Sequence, residues 1–153
     1  MRFLTMDESV ESRGSRHQTL AREGGVSATS RLAGRILSAL AILFLLFDTA
    51  IKLLRLAPAV EGTIELGYPG SAVLTIGIIE LVCLALYVIP RTSVLGAILF
   101  TGYLGGAIAT HLRLGNPLAT HVLFPIYVAV LIWGGLLLRD RRLWAFVPLR
   151  AIR

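Results

Sequence analysis

Residues 71–89 read SAVLTIGIIELVCLALYVI, with one charged side chain, Glu80, near the middle and Pro90 immediately after. At the helical rise of 1.5 Å per residue such a run covers roughly 28 Å, close to the thickness of a bilayer's hydrocarbon core. Proline disfavours helix for the residue before it, so the run stops there. Working outward, three more apolar runs appear, at about 36–54, 94–112 and from Asn116-Pro117 to the charged Arg139-Asp140-Arg141-Arg142. Asn116 reads as a helix cap followed by proline at the first helical position. The layout predicts an all-α, four-helix transmembrane bundle over residues 33–142. A polar tail, 1–32, precedes it and reads as disordered, and a basic tail, 143–153, follows. The connection 57–70 holds Pro58, Gly62, Gly67 and Pro69 as breakers, and an irregular cap or short helix is expected there.

Composition agrees with this layout and excludes several classes of function. Hydrophobic residues make up 56% of the chain and its mean hydropathy is +0.77, above the range of soluble domains. Cys83 is the only cysteine and lies within an apolar run, which rules out an internal disulfide or dithiol chemistry within the chain. A pI near 10.4 would suit nucleic acid, but the basic residues gather at the ends of the apolar runs and form no soluble basic face. The expected partner is therefore the lipid bilayer, with no nucleic acid. Six lysines and arginines lie in the segment through Arg35, one at Arg91 and five from Arg139 onward, against only Lys52, Arg55 and Arg113. The positive-inside rule then places both termini and Arg91 in the cytoplasm, with Glu65 and Asn116 outside, for a multi-pass protein of the cell's inner membrane. Trp133 and Trp144 fall near the expected inner boundary, where 143–149 would rest on the membrane surface.

Ionisable groups inside the runs are the candidates for function, because charge at membrane depth is costly unless it is paired, neutral or hydrated. Glu80 stands near mid-membrane, either as a site group or as a structural acid that fixes helix register. Asp48 and Lys52 are four residues apart, the spacing of an intrahelical ion pair, the alternative being that one of them turns toward Glu80 or a ligand. His111, Arg113 and His121 flank the turn between the third and fourth runs, so the two histidines are expected to converge near the outer surface. Imidazole suits proton exchange, though two histidines without a fixed close spacing make no metal site. Pro125, inside the fourth run, deprives the carbonyl of His121 of its helical donor and predicts a kink. Gly102 and Gly106 form a small-xxx-small pattern that would admit a neighbouring backbone, making the third helix the packed centre. Tyr103 and Thr110 share nearly one face and offer hydroxyls to a polar interior; Tyr127 reads first as aromatic packing. Together these placements predict a pocket opening outward, with Glu80 at its floor, Asp48 and Lys52 beside it and His111, Arg113 and His121 at its rim.

Four segments also carry a resemblance: Leu66-Gly67-Tyr68-Pro69, Gly77-Ile78-Ile79-Glu80-Leu81, Gly105-Gly106-Ala107-Ile108-Ala109-Thr110-His111-Leu112-Arg113 and His121-Val122-Leu123-Phe124-Pro125. Over roughly residues 35–150 the chain resembles the DoxX-like family of small bacterial four-helix membrane proteins. Most of that family has no assigned reaction. The relatives include a membrane subunit of a thiosulfate:quinone oxidoreductase, and others are linked to membrane-associated oxidoreductase complexes. With one buried cysteine and no cofactor motif, a redox role implied by the resemblance would need a quinone cofactor or a redox partner subunit, the polar pocket then holding a quinone headgroup or a small oxyanion. The alternative reading beside it is a non-enzymatic binding, transport or assembly module, with a second copy of the chain as a candidate partner.

Overall fold

The computed structural model describes residues 27–140 and Leu143, so the expectations for residues 1–26 and 144–153, Trp144 included, lie outside the described residues. Helix α1 spans Ala28–Leu53, a short helix α2 spans Ala57–Glu65, α3 spans Ala72–Val88 and α4 spans Ser93–Arg113. A π-helical turn, Leu118–Val122, then leads into α5, Phe124–Arg139. Three segments are long and apolar enough to cross a membrane: Ala28–Leu53, Ser93–Arg113 and Leu118–Arg139. The fourth, α3, has 17 residues and is apolar apart from the Glu80 carboxyl near its middle, at the lower end of the length a spanning helix requires. The bundle is all-helical and its four apolar helices make this a membrane protein.

Helix α1 starts earlier than the apolar run alone indicates. The Ser27 hydroxyl accepts the Ser30 N–H at 3.1 Å and caps an N-terminal turn ahead of the hydrophobic residues. At 26 residues the helix is about 39 Å long, so the turns carrying Arg31 and Arg35 exceed the hydrocarbon core. It ends in a Schellman motif, in which the Arg55 N–H bonds the Lys52 carbonyl and the Leu56 N–H bonds the Ile51 carbonyl. Gly67 and Gly115 close α2 and α4 in the same way, both at positive φ. Arg55 does the same job at φ 51 without the freedom of glycine.

Helices α1 and α4 each pack against both α3 and α5, and they face each other only across the diagonal. Paired levels show that neighbours run antiparallel: Phe44 meets Phe124 edge-on at 5.4 Å, while Gly34 lies against Leu138 and Arg139. Close approaches occur at Gly34 and Gly135, between α1 and α5, and at Gly96, where a Cβ would fall on the backbone of Tyr87. Gly102 and Gly106, which the spacing marked as a packing face, have nothing within 4 Å of a Cβ built on them. The third apolar helix is accordingly one corner of the bundle and not its centre.

The two halves of the bundle differ. Toward the chain ends, Ala41, Tyr87, Ala97, Phe100, Ile132 and Leu136 form a buried apolar core. The Tyr87 hydroxyl donates to the Ile132 carbonyl at 3.0 Å and accepts from Ser38 at 3.1 Å, joining α1, α3 and α5. Large apolar side chains such as Phe47, Val82, Ile98 and Val130 are exposed on all four long helices, as lipid contact requires when the surrounding solvent is itself apolar. The other half, toward α2 and the Gly115 turn, is hollow.

Candidate functional site

Lys52 is the hub of the hollow half. Its Nζ donates to Asp48 Oδ2 at 2.5 Å, to Glu80 Oε2 at 2.7 Å and to the Tyr103 hydroxyl at 3.0 Å. Both readings of the Asp48 and Lys52 spacing are therefore realised at once, the intrahelical pair and the reach to Glu80. Helical periodicity places Asp48 and Lys52 one turn apart on α1. Gly77 lets this happen, because with no side chain there α3 approaches the Lys52 Cβ closely and brings Glu80 within reach. Tyr103 comes from α4 and donates to Glu80 Oε2 at 2.9 Å, so the cluster ties three helices together and crosses the diagonal of the bundle.

Glu80 is fully buried. Its Oε2 takes both hydrogen bonds while Oε1 has no partner among the described residues. A buried carboxylate is tolerated where a cation and donors answer it, which is the arrangement here, and removing one partner of such a pair typically costs about 3–5 kcal/mol. Asp48 differs, since its side chain keeps 30% exposure.

A cavity of about 670 Å³ occupies the space between α1 and α4. Asp48, Lys52 and Tyr103 line it, together with apolar side chains such as Phe44, Ile76, Ile79 and Val128. Gly102 and Gly106 also line it, so the glycines of α4 widen a chamber instead of closing a helix contact. Thr63, Leu66 and Tyr68, from α2 and its following loop, cover the end. The Tyr68 hydroxyl bonds Thr110 at 2.9 Å and Arg113 donates to the Leu66 carbonyl at 2.9 Å, which fastens that cover to α4.

The remaining sequence candidates fall out unevenly. Glu80 lies behind the floor, screened by Lys52 and Tyr103, and does not line the cavity. His111 lines it; Arg113 and His121 do not. The two histidine rings do converge, edge to face at 5.6 Å, but His121 is exposed and bonds Thr120. His111 Nδ1 pairs with Asn116 Nδ2 at 2.8 Å, so Asn116 orders the turn through its side chain and makes no cap bond to α5. Pro125 sits in the first turn of α5, after the π-helical turn and a bend at Leu123. The helix restarts there, and the missing N–H falls where a helix has no intrahelical acceptor to offer. Tyr127 is exposed. No group of three or more metal-ligating side chains is present among the described residues.

Sequence reasoning expected a cap or short helix at 57–70 but did not mark Thr63 or Tyr68 as site residues, because nothing in that segment shows which of its side chains face the bundle. The weak signal was Tyr68 itself, an aromatic hydroxyl between Gly67 and Pro69, where a loop has little other use for it. Among known protein families, the model of the DoxX-like family matches residues 36–135, a stretch that contains every residue lining the cavity. No curated protein and no solved structure matches the chain.

Proposed function

The chain belongs to the DoxX-like family, and from that premise we propose that it is a membrane-embedded binding subunit for a lipophilic molecule with an oxygen-bearing ring, of the quinone class. The observation that carries this reading is the cavity: its volume falls in the range of ligand sites, its walls are largely apolar, and its charged groups, Asp48 and Lys52, meet Tyr103 at the deep end. A quinone brings its own redox chemistry, so the chain's part is to hold and orient it for a partner subunit. The charge asymmetry supports an inner-membrane placement with both termini cytoplasmic, which turns the cavity toward the outer half of the bilayer.

Gly106 offers the test, because it lines the cavity and has open space around a built Cβ. Replacing a helical glycine with leucine improves helix propensity while filling the chamber. The purified protein in lipid nanodiscs is expected to gain thermal stability on adding a short-chain quinone, and Gly106→Leu is expected to stay folded and lose that gain. A quinone effect of equal size in both proteins would place the ligand elsewhere.

A second reading has one observation in its favour. The full burial of Glu80 and its exchange of bonds with Lys52 and Tyr103 suit an acid that fixes helix register in a binding or assembly module. Under that reading no quinone stabilises the protein at all.

A further inference from the structure

We infer that the deep end of the cavity accepts hydrogen bonds and has none to donate, so that it selects a ligand head carrying O–H or N–H: within the quinone class, the hydroquinone over the quinone. The inference rests on the reading of the cavity as a ligand site.

An ammonium carries three donors and no acceptor. Those of Lys52 are spent on Asp48, Glu80 and Tyr103. The Tyr103 hydrogen goes to Glu80 Oε2. Thr110 gives its hydrogen to the Gly106 carbonyl at 2.9 Å, so in its bond with Tyr68 the tyrosine must donate. Thr63 donates to the Ala59 carbonyl at 2.7 Å. The lining side chains with hydrogens not spent in these bonds are Thr75, one turn into α3, and His111, in the last turn of α4. Both stand at the covered end, away from Tyr103.

Acceptors are left over at depth. Asp48 bonds Lys52 through Oδ2, and among the described residues its Oδ1 meets no protein donor while its side chain lines the cavity. The cluster also holds two carboxylates against one ammonium, an imbalance that favours a donor or a cation. A carbonyl placed there would face carboxylate oxygen with nothing to bond, whereas a hydroxyl would make a hydrogen bond to a charged acceptor, the stronger kind.

Two matched pairs of probes separate this inference from the quinone reading: decylhydroquinone with decylbenzoquinone, and 4-nonylphenol with its methyl ether. Affinities are measured by calorimetric titration of the protein in nanodiscs of neutral lipid, against empty nanodiscs. In each pair the donor member is expected to bind roughly tenfold more tightly or better, the scale of one charge-assisted hydrogen bond. The preference is expected to fall to about even in Asp48→Leu, which leaves Lys52 and Glu80 balanced one to one. Discrimination in the phenol pair with no binding of either quinone form would sink the quinone reading and uphold the donor preference. Equal affinities within both pairs, a preference that survives Asp48→Leu, or binding of no probe at all would overturn the inference.

Discussion

At the scale of single residues, Lys52 decides more than any other side chain. It answers two carboxylates and a tyrosine inside a low-dielectric bundle, and its loss leaves Asp48 and the fully buried Glu80 without a cation. Lys52→Met is expected to destabilise the protein by about 3–5 kcal/mol, the scale for removing one partner of a buried pair. Glu80→Gln should cost less, since an amide oxygen still accepts from Lys52 and Tyr103. The double variant Lys52→Met, Glu80→Leu should recover part of the loss, because an apolar pair of similar volume can replace a buried ion pair. Thermal unfolding in one detergent checks the order; a Lys52→Met protein as stable as the parent would show that the cluster contributes nothing to the fold. All four members of the cluster, Asp48, Lys52, Glu80 and Tyr103, were legible in the sequence as charges or hydroxyls within apolar runs. Their joint meeting at Lys52 was not, because it depends on Gly77 letting α3 approach α1, and spacing along one helix carries no information about the depth of its neighbour.

At the scale of elements, the helix ends were legible where glycine marked them and obscure where it did not. Gly67 and Gly115 announce their caps, while Arg55 holds the same left-handed conformation and gives no warning. An L-residue with a side chain pays about 1–2 kcal/mol for that backbone. Arg55→Gly is accordingly expected to raise stability by about 1 kcal/mol, read as a shift in chemical-denaturation midpoint; a loss instead would mean that the arginine side chain has a bond worth more than the strain. The glycines inside helices teach the opposite lesson. Gly102 and Gly106 have the spacing of a packing motif and line a cavity, whereas Gly96 has no such partner in sequence and carries the close α3 to α4 contact. Gly96→Ala should destabilise by about 1–3 kcal/mol, as overpacking of a filled interior does. Which glycine is a contact and which is a space is a property of two helices together.

At the scale of the whole molecule, four apolar runs and their antiparallel order followed from length, hydropathy and breakers alone. The division into a packed half and a hollow half showed only as the gathering of Asp48, Lys52, Glu80 and His111 toward one end of the runs, since the hollow itself depends on whether α1 and α4 are bridged by side chains or by space. From the charge count we propose that the hollow half faces the outside. Single cysteines at positions 65, 91 and 116, in a protein whose Cys83 is replaced, are expected to react with an impermeant reagent from the outside at 65 and 116 and from the cytoplasm at 91. Labelling of position 65 from the cytoplasm alone would invert the topology and turn the cavity inward.

The seam of Gly34, Ser38 and Gly135 joins α1 to α5, two helices separated along the chain by all of α3 and α4. Since α5 follows α3 and α4 in the sequence, α1 has α3 as its one long neighbour until α5 packs, and its small-residue face is unfilled until then. Only the arrival of α5 completes it. A product truncated before α5 is therefore expected to leave this notch bare to the lipid and to be degraded faster in cells than the intact chain.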